Sequence, residues 1–148
     1  MSVPFEEVAK RVFRFKEAKP SYETWPDQRD PGHERGLFKY IGDSGGVEGD
    51  VPAAIPAENF TVGVVVMPPG NRPPRHTHTT EEVFIPLSGK WEVELGENGE
   101  YKIPLEQWDC ISVPAGVIRS FVNVGNEDGY MMAIMGKATN VITVTEKK

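Results

Sequence analysis

The chain reads as an all-β protein, a sandwich or a closed barrel of jelly-roll type, and three observations predict it. Short runs rich in valine, isoleucine and phenylalanine recur from Gly36 onward. The 15 glycines and 13 prolines fall largely between those runs, where they act as turn punctuation. A length of 148 residues with 39% apolar side chains is enough for one sizeable core without disulfides or a second domain.

Each element can be justified in chain order. Over residues 4–15, Phe5, Val8, Val12, Phe13 and Phe15 fall near helical spacing between charged residues, which predicts a short amphipathic helix. Residues 17–35 are rich in proline, aspartate and other charged residues and have no clean period, so they are expected to wrap over the barrel as an irregular arm. The helix and arm, 1–35, are thus expected to pack on a barrel formed by 36–148. Strands are predicted at 37–41, 60–67, 82–87, 90–95, 101–103, 109–113, 118–124, 130–135 and 141–144. Breakers separate them: Pro68-Pro69-Gly70, Ser88-Gly89, Gly96-Glu97-Asn98-Gly99, Pro114-Ala115-Gly116 and Gly125-Asn126.

Composition excludes several function classes. Asp and Glu total 22 against 16 Lys and Arg, a formal charge of −6, and no basic run is long enough to follow a phosphate backbone. Nucleic acid is therefore not an expected partner. Cys110 is the single cysteine, so no internal disulfide forms, and it is expected to be a packed small residue, with no adjacent histidine to activate it. Residues 1–16 hold no apolar stretch of signal-peptide length, and nothing approaches the roughly 20 apolar residues of a membrane span. A soluble, cytoplasmic protein is expected.

The chemistry concentrates in Gly70-Asn71-Arg72-Pro73-Pro74-Arg75-His76-Thr77-His78-Thr79-Thr80-Glu81-Glu82, which holds two of the three histidines. Side chains at i and i+2 of a strand share a face, so His76 and His78 aim at one point. Imidazole with carboxylate suits first-row transition metals, whereas calcium and magnesium prefer all-oxygen sites. Glu82 would lie about 13 Å beyond His78 on a straight strand at roughly 3.3 Å per residue, so the chain must bend at Thr79-Thr80-Glu81 and return Glu82 on a neighbouring strand. Two histidines and one carboxylate form the facial triad of non-haem iron enzymes. On these residues alone, a polar loop is the competing reading.

The same window runs Gly70, five residues, His76-x-His78, three residues, Glu82, six residues, Gly89, and it resembles the first cupin motif at every defining position. The second motif is recognisable in Trp108-Asp109-Cys110-Ile111-Ser112-Val113-Pro114-Ala115-Gly116-Val117-Ile118-Arg119-Ser120-Phe121-Val122-Asn123. Asp109, Pro114, Gly116 and Asn123 match it. Trp108 replaces its opening glycine, and Arg119 replaces the histidine that supplies a fourth metal ligand. The resemblance spans about 60–135. It implies a cupin barrel, one divalent transition metal (iron first, then manganese, nickel or zinc) on His76, His78 and Glu82, and a homodimer. Cupins include dioxygenases, decarboxylases, isomerases, lyases and non-catalytic binding proteins, so the fold does not choose the chemistry.

Arginine stays protonated and has no lone pair to offer, so Arg119 cannot be a ligand. Three roles compete for it. It forms a fork with an anionic substrate beside the metal, or it pairs with Glu82 and competes with the metal, or it sits in a solvated salt bridge at the barrel mouth. Phe121 shares its face two residues on and is expected to form an apolar pocket wall. Trp91, Trp108, Phe84, Met131, Met132 and Met135 are expected to divide between core and pocket wall. His33, in the arm, is expected on a surface loop. The function these residues favour is a metal-dependent enzyme acting on a small anionic organic substrate, with Arg119 as its orienting residue and a non-haem iron dioxygenase the first class. A metal-assisted lyase, decarboxylase or isomerase would use the same residues, and a non-catalytic small-molecule-binding cupin is the reading from another class.

Overall fold

Strand-forming runs separated by glycine and proline turns give ten strands among the described residues: β1 (Gly36–Ile41), β2 (Phe60–Met67), β3 (His76–His78), β4 (Glu82–Ser88), β5 (Trp91–Leu95), β6 (Tyr101–Leu105), β7 (Ile111–Val113), β8 (Arg119–Asn123), β9 (Gly129–Gly136) and β10 (Val141–Thr143). The computed structural model describes residues 2–42 and 49–137 together with the backbone of 141–143. Residue 144, the last of the strand predicted at 141–144, lies outside them.

The strands form two five-stranded sheets, ordered β1-β2-β9-β4-β7 and β10-β3-β8-β5-β6, and every pairing within them is antiparallel. Their inner faces meet in one core. Leu37, Val65, Met67, Phe84, Val113 and Met131 come from the first sheet; Trp91, Val93, Leu105 and Phe121 come from the second. This is the jelly-roll barrel expected from the sequence, with period-two alternation placing Glu82, Phe84 and Pro86 of β4 inward. Two glycines earn their place by geometry. Gly89 takes φ +84° in the turn that carries the chain from β4 to β5, and a Cβ on Gly129 would lie 2.7 Å from Trp91 Cζ2.

The N-terminal segment departs from expectation. Instead of one helix over 4–15 there is a single short helix, α1 (Phe5–Ala9), and a 3₁₀ turn at Phe15–Glu17. Neither buries a residue, so no packed face repays the cost of helix nucleation over so few residues. Phe13 and Phe15 instead act singly: Phe13 stacks on Tyr40 at 3.8 Å, and Phe15 lies 4.7 Å from Phe38. The arm, by contrast, is tied to the barrel. Ser21 bridges Leu37, and the buried Gln28 accepts hydrogen bonds from the Thr24 and Trp25 N–H groups while donating to the Ser21 and Arg35 carbonyls. All four bonding capacities of its amide are used.

The strand expected at 109–113 begins only at Ile111, because Glu106–Asp109 form a turn in which the Asp109 carboxylate accepts from Glu106 N–H and Trp108 takes φ +71°. This is the position where the second motif has glycine, and its left-handed backbone explains that preference. Trp108 projects into solvent at 70% exposure, and Cys110 is exposed beside it, not packed as expected. A turn displays its side chains to solvent, whereas the strand read at these positions would have buried alternate ones.

Candidate metal centre and its cavity

β3 brings His76 and His78 to one end of the barrel interior, and β8 sets Arg119 directly across from His76 in the ladder. Glu82 arrives differently from the expectation of a neighbouring strand. After the bend at residues 79–81 it opens β4, which belongs to the opposite sheet, so the carboxylate faces the histidines across the barrel. The hydrogen bond from Gly116 N–H to the His78 carbonyl at 3.0 Å ties the second motif's turn to the histidine strand.

One ligand atom each from His76, His78 and Glu82 falls within 4.8 Å of the others, with His78 Nε2 3.4 Å from Glu82 Oε1. Donors on neighbouring positions of a first-row ion, at bonds of roughly 2.1 Å, lie about 3.0–3.4 Å apart, so this set fits such an ion after a small contraction. The tautomer of His76 fits as well. Its Nδ1 is 2.8 Å from the Pro74 carbonyl, which can only accept, so Nδ1 carries the proton and Nε2 keeps the lone pair. Burial, reinforced by the Arg119 charge and only partly opposed by the bond to Pro74, lowers the His76 pKa to about 4, which leaves a neutral imidazole. Burial raises the Glu82 pKa to about 7 even though Arg119 pulls the other way.

Arg119 is the residue that most alters the site. It is fully buried, so it is not at a solvated mouth. Its Nη1 donates to Glu82 Oε1 at 3.2 Å, Nε to the Val117 carbonyl at 2.9 Å and Nη2 to the Pro114 carbonyl at 2.7 Å. With each nitrogen engaged, and with Arg119 absent from the cavity lining, its guanidinium serves Glu82 and the motif turn.

The centre opens into a cavity of about 290 Å³. Leu37, Val65, Phe84, Phe121, Ala133 and Met135 supply its apolar wall, so Phe121 stands where the alternation of β8 put it. Trp91 and Met131 go to the core instead. Trp25, Pro26, Asp27 and Arg35 of the arm also line it. The sequence reading missed these four, because a segment without periodicity offers no face to read. His33 does not line the cavity; its Nδ1 meets the Arg72 carbonyl at 2.6 Å.

Arg35 is held firmly. Nη1 donates to Asp27 Oδ2 at 2.8 Å and to the His33 carbonyl at 2.7 Å, and the guanidinium carbon lies 4.8 Å from the centroid of the Trp25 ring. Burial lowers the Arg35 pKa against the opposing effect of Asp27.

The family model described as a cupin domain matches residues 63–135, which contain all three candidate ligands and Arg119. The chain is a cupin-domain protein. Among solved structures, this cupin is similar to the polyketide cyclase RemF from Streptomyces resistomycificus, with 18% identity, 93% of this chain and 87% of that one covered, and a TM-score of 0.68. It is also similar to a sugar phosphate isomerase of the cupin superfamily from Silicibacter pomeroyi (18% identity, 90% and 81% covered, TM-score 0.67). A third similar structure is the DMSP lyase DddQ from Ruegeria pomeroyi (17% identity, 93% and 61% covered, TM-score 0.61). At these identities the likeness is one of fold. A comparison with curated proteins finds no significant match. No helix among the described residues of the cupin is long and apolar enough to cross a membrane.

Proposed function

We propose that this cupin is a metal-dependent enzyme in which His76, His78 and Glu82 hold one divalent transition-metal ion and a small anionic organic substrate enters the apolar cavity beside it. The observation that carries the reading is the convergence of two imidazoles and one carboxylate at the end of a cavity whose remaining wall is largely apolar. A divalent ion held there supplies Lewis acidity toward a substrate oxygen. Charge argues for an anionic substrate. Arg119 offsets Glu82 and Arg35 offsets Asp27, so the charge of an added divalent ion is left for an incoming anion to balance.

The reaction class we favour is a lyase, isomerase or cyclase step without net oxidation. Arg119 draws on the same Glu82 oxygen that faces His78, so the carboxylate donates less to an ion and leaves it more electrophilic. That arrangement favours polarising a substrate over activating dioxygen. The names of three fold neighbours, a cyclase, an isomerase and a lyase, agree with this class. Iron-dependent dioxygenation, which uses the same three ligands, is the second reading.

The test is to strip the protein of metal, reload it with Fe(II), Mn(II), Ni(II), Co(II) or Zn(II), and measure bound metal, dioxygen uptake and product formation with small organic acids. Stoichiometric binding and turnover with Zn(II) or Co(II) under nitrogen is the expected result. Turnover only with Fe(II) and matched by dioxygen uptake would install the dioxygenase, and metal uptake without turnover of any acid would favour a binding protein. Failure to bind any of the metals would end the metal-enzyme reading.

A further inference from the structure

Arg35 is the one arginine or lysine among the described residues that line the cavity. It is 5% exposed, and an arginine buried to that degree needs a reason beyond packing, because its desolvation is costly unless partners recover it. Half of that reason is visible. Both of the hydrogen bonds recorded for its guanidinium use Nη1, to Asp27 and to the His33 carbonyl, while the Trp25 ring covers the group. The fork formed by Nε and Nη2 takes no part in those bonds. The charges of Arg35 and Asp27 are both felt at the His76 imidazole, which sets the pair within electrostatic reach of the metal centre.

We infer that Arg35, braced by Asp27 and Trp25, is the anchor for the oxyanion of the ligand, holding a carboxylate or phosphate at the arm side of the cavity while the ligand's apolar body lies against Phe84 and Phe121. This deepens, and rests on, the reading of the cavity as a substrate site. The chemistry is that of the guanidinium fork, whose planar donors match an oxyanion with two parallel hydrogen bonds in a site shielded from water. It moves the anion-binding role from Arg119, whose nitrogens are all engaged, to a residue of the arm. Asp27 is a positioning residue here. The arm, pinned by Gln28, makes the anchor part of the folded barrel: the Gln28 amide donates to the Arg35 carbonyl itself, at 2.8 Å.

The experiment titrates the full-length protein calorimetrically, metal-free and zinc-loaded, with benzoate, its neutral counterpart benzamide, and phenyl phosphate. Metal-free protein is expected to bind benzoate or phenyl phosphate better than benzamide, and the tighter of the two anions identifies the anchored group. The double variant Asp27→Asn/Arg35→Met removes the pair without leaving a lone buried carboxylate. It is expected to lose about tenfold to a hundredfold in anion affinity, with benzamide changed less than about twofold. If that variant does not fold, Arg35→Lys keeps the charge but not the fork, and a severalfold loss for the anion alone is expected. Anion affinity equal to wild type in a folded variant, or no preference for the anion in wild type, overturns the inference. Failure of the metal reading has a separate signature: no zinc uptake together with Arg35-dependent anion binding defeats the metal centre and keeps the anchor.

Discussion

Arg119 Nη1 lies 3.2 Å from Glu82 Oε1, the same oxygen that stands 3.4 Å from His78 Nε2, so a fully buried cation and a candidate metal-ligand histidine meet at one carboxylate oxygen. In the proposed metal enzyme, ion pairing and coordination would share that oxygen. Breaking a buried pair by removing one partner is expensive, so Arg119 supports the fold, and under the proposed function it would also weaken affinity for a metal.

Arg119→His replaces a cation that cannot coordinate with an imidazole that can. Metal affinity, measured by competition with a chelator, is expected to tighten by tenfold or more, about 1.4 kcal/mol. The metal-free variant should melt below wild type, because the Pro114 and Val117 carbonyls lose their donor. An unchanged affinity would show that the cation does not oppose the ion.

His76→Ala removes one of three donors and the bond to the Pro74 carbonyl, at a position that is only half-buried. Stoichiometric metal binding should disappear. The melting temperature of the metal-free protein should move by no more than a few degrees, corresponding to about 1 kcal/mol for a chain of this length. Full metal content in this variant would remove His76 from the ligand set.

Trp108→Gly should stabilise the protein. Trp108 holds φ +71° with its ring largely in solvent, so the change relieves a left-handed backbone costing about 1–2 kcal/mol and sacrifices little burial. Part of that is offset by the greater freedom of glycine in the unfolded chain, leaving a net gain of about 0.5–1 kcal/mol by urea denaturation. A loss of stability would mean that the exposed indole has a partner.

Asp50 gives stability a pH dependence. Burial alone would raise its pKa, but hydrogen bonds from Lys39 at 2.9 Å and from Ser21, with the Lys39 charge, outweigh it and hold the carboxyl below the ordinary value. A folded-state pKa below the unfolded one stabilises above the unfolded value, and the contribution is lost as pH falls through the folded value. Asp50→Asn should therefore flatten the decline in stability that wild type shows below about pH 4. Parallel profiles for the two proteins from pH 6 to pH 2.5 would refute the assignment.

The legible parts of this protein were those with local periodicity. Strands β1, β2, β4, β5, β8 and β9 lie within a residue of where alternation and turn residues put them, because a strand's inward set is written at every second position. The spacing of His76 and His78 likewise placed both imidazoles at one centre. The helix expected at 4–15 was misread for a related reason: Phe13 and Phe15 mimic helical spacing but pack individually on Tyr40 and Phe38.

What the sequence by itself determined is the barrel, the candidate ligand set of His76, His78 and Glu82, and the presence of a cation at position 119 of the second motif. Only the tertiary structure decided that Glu82 crosses to the opposite sheet, that Arg119 turns its fork toward Glu82 and two carbonyls, and that Arg35 and Asp27 of the arm complete the cavity wall. The reason is that alternation along a strand constrains which face a residue takes, whereas the partner of a charged side chain is chosen among groups brought together from distant parts of the chain. Arg35 and His76 are 41 positions apart in sequence and share one cavity, and no local pattern encodes that meeting.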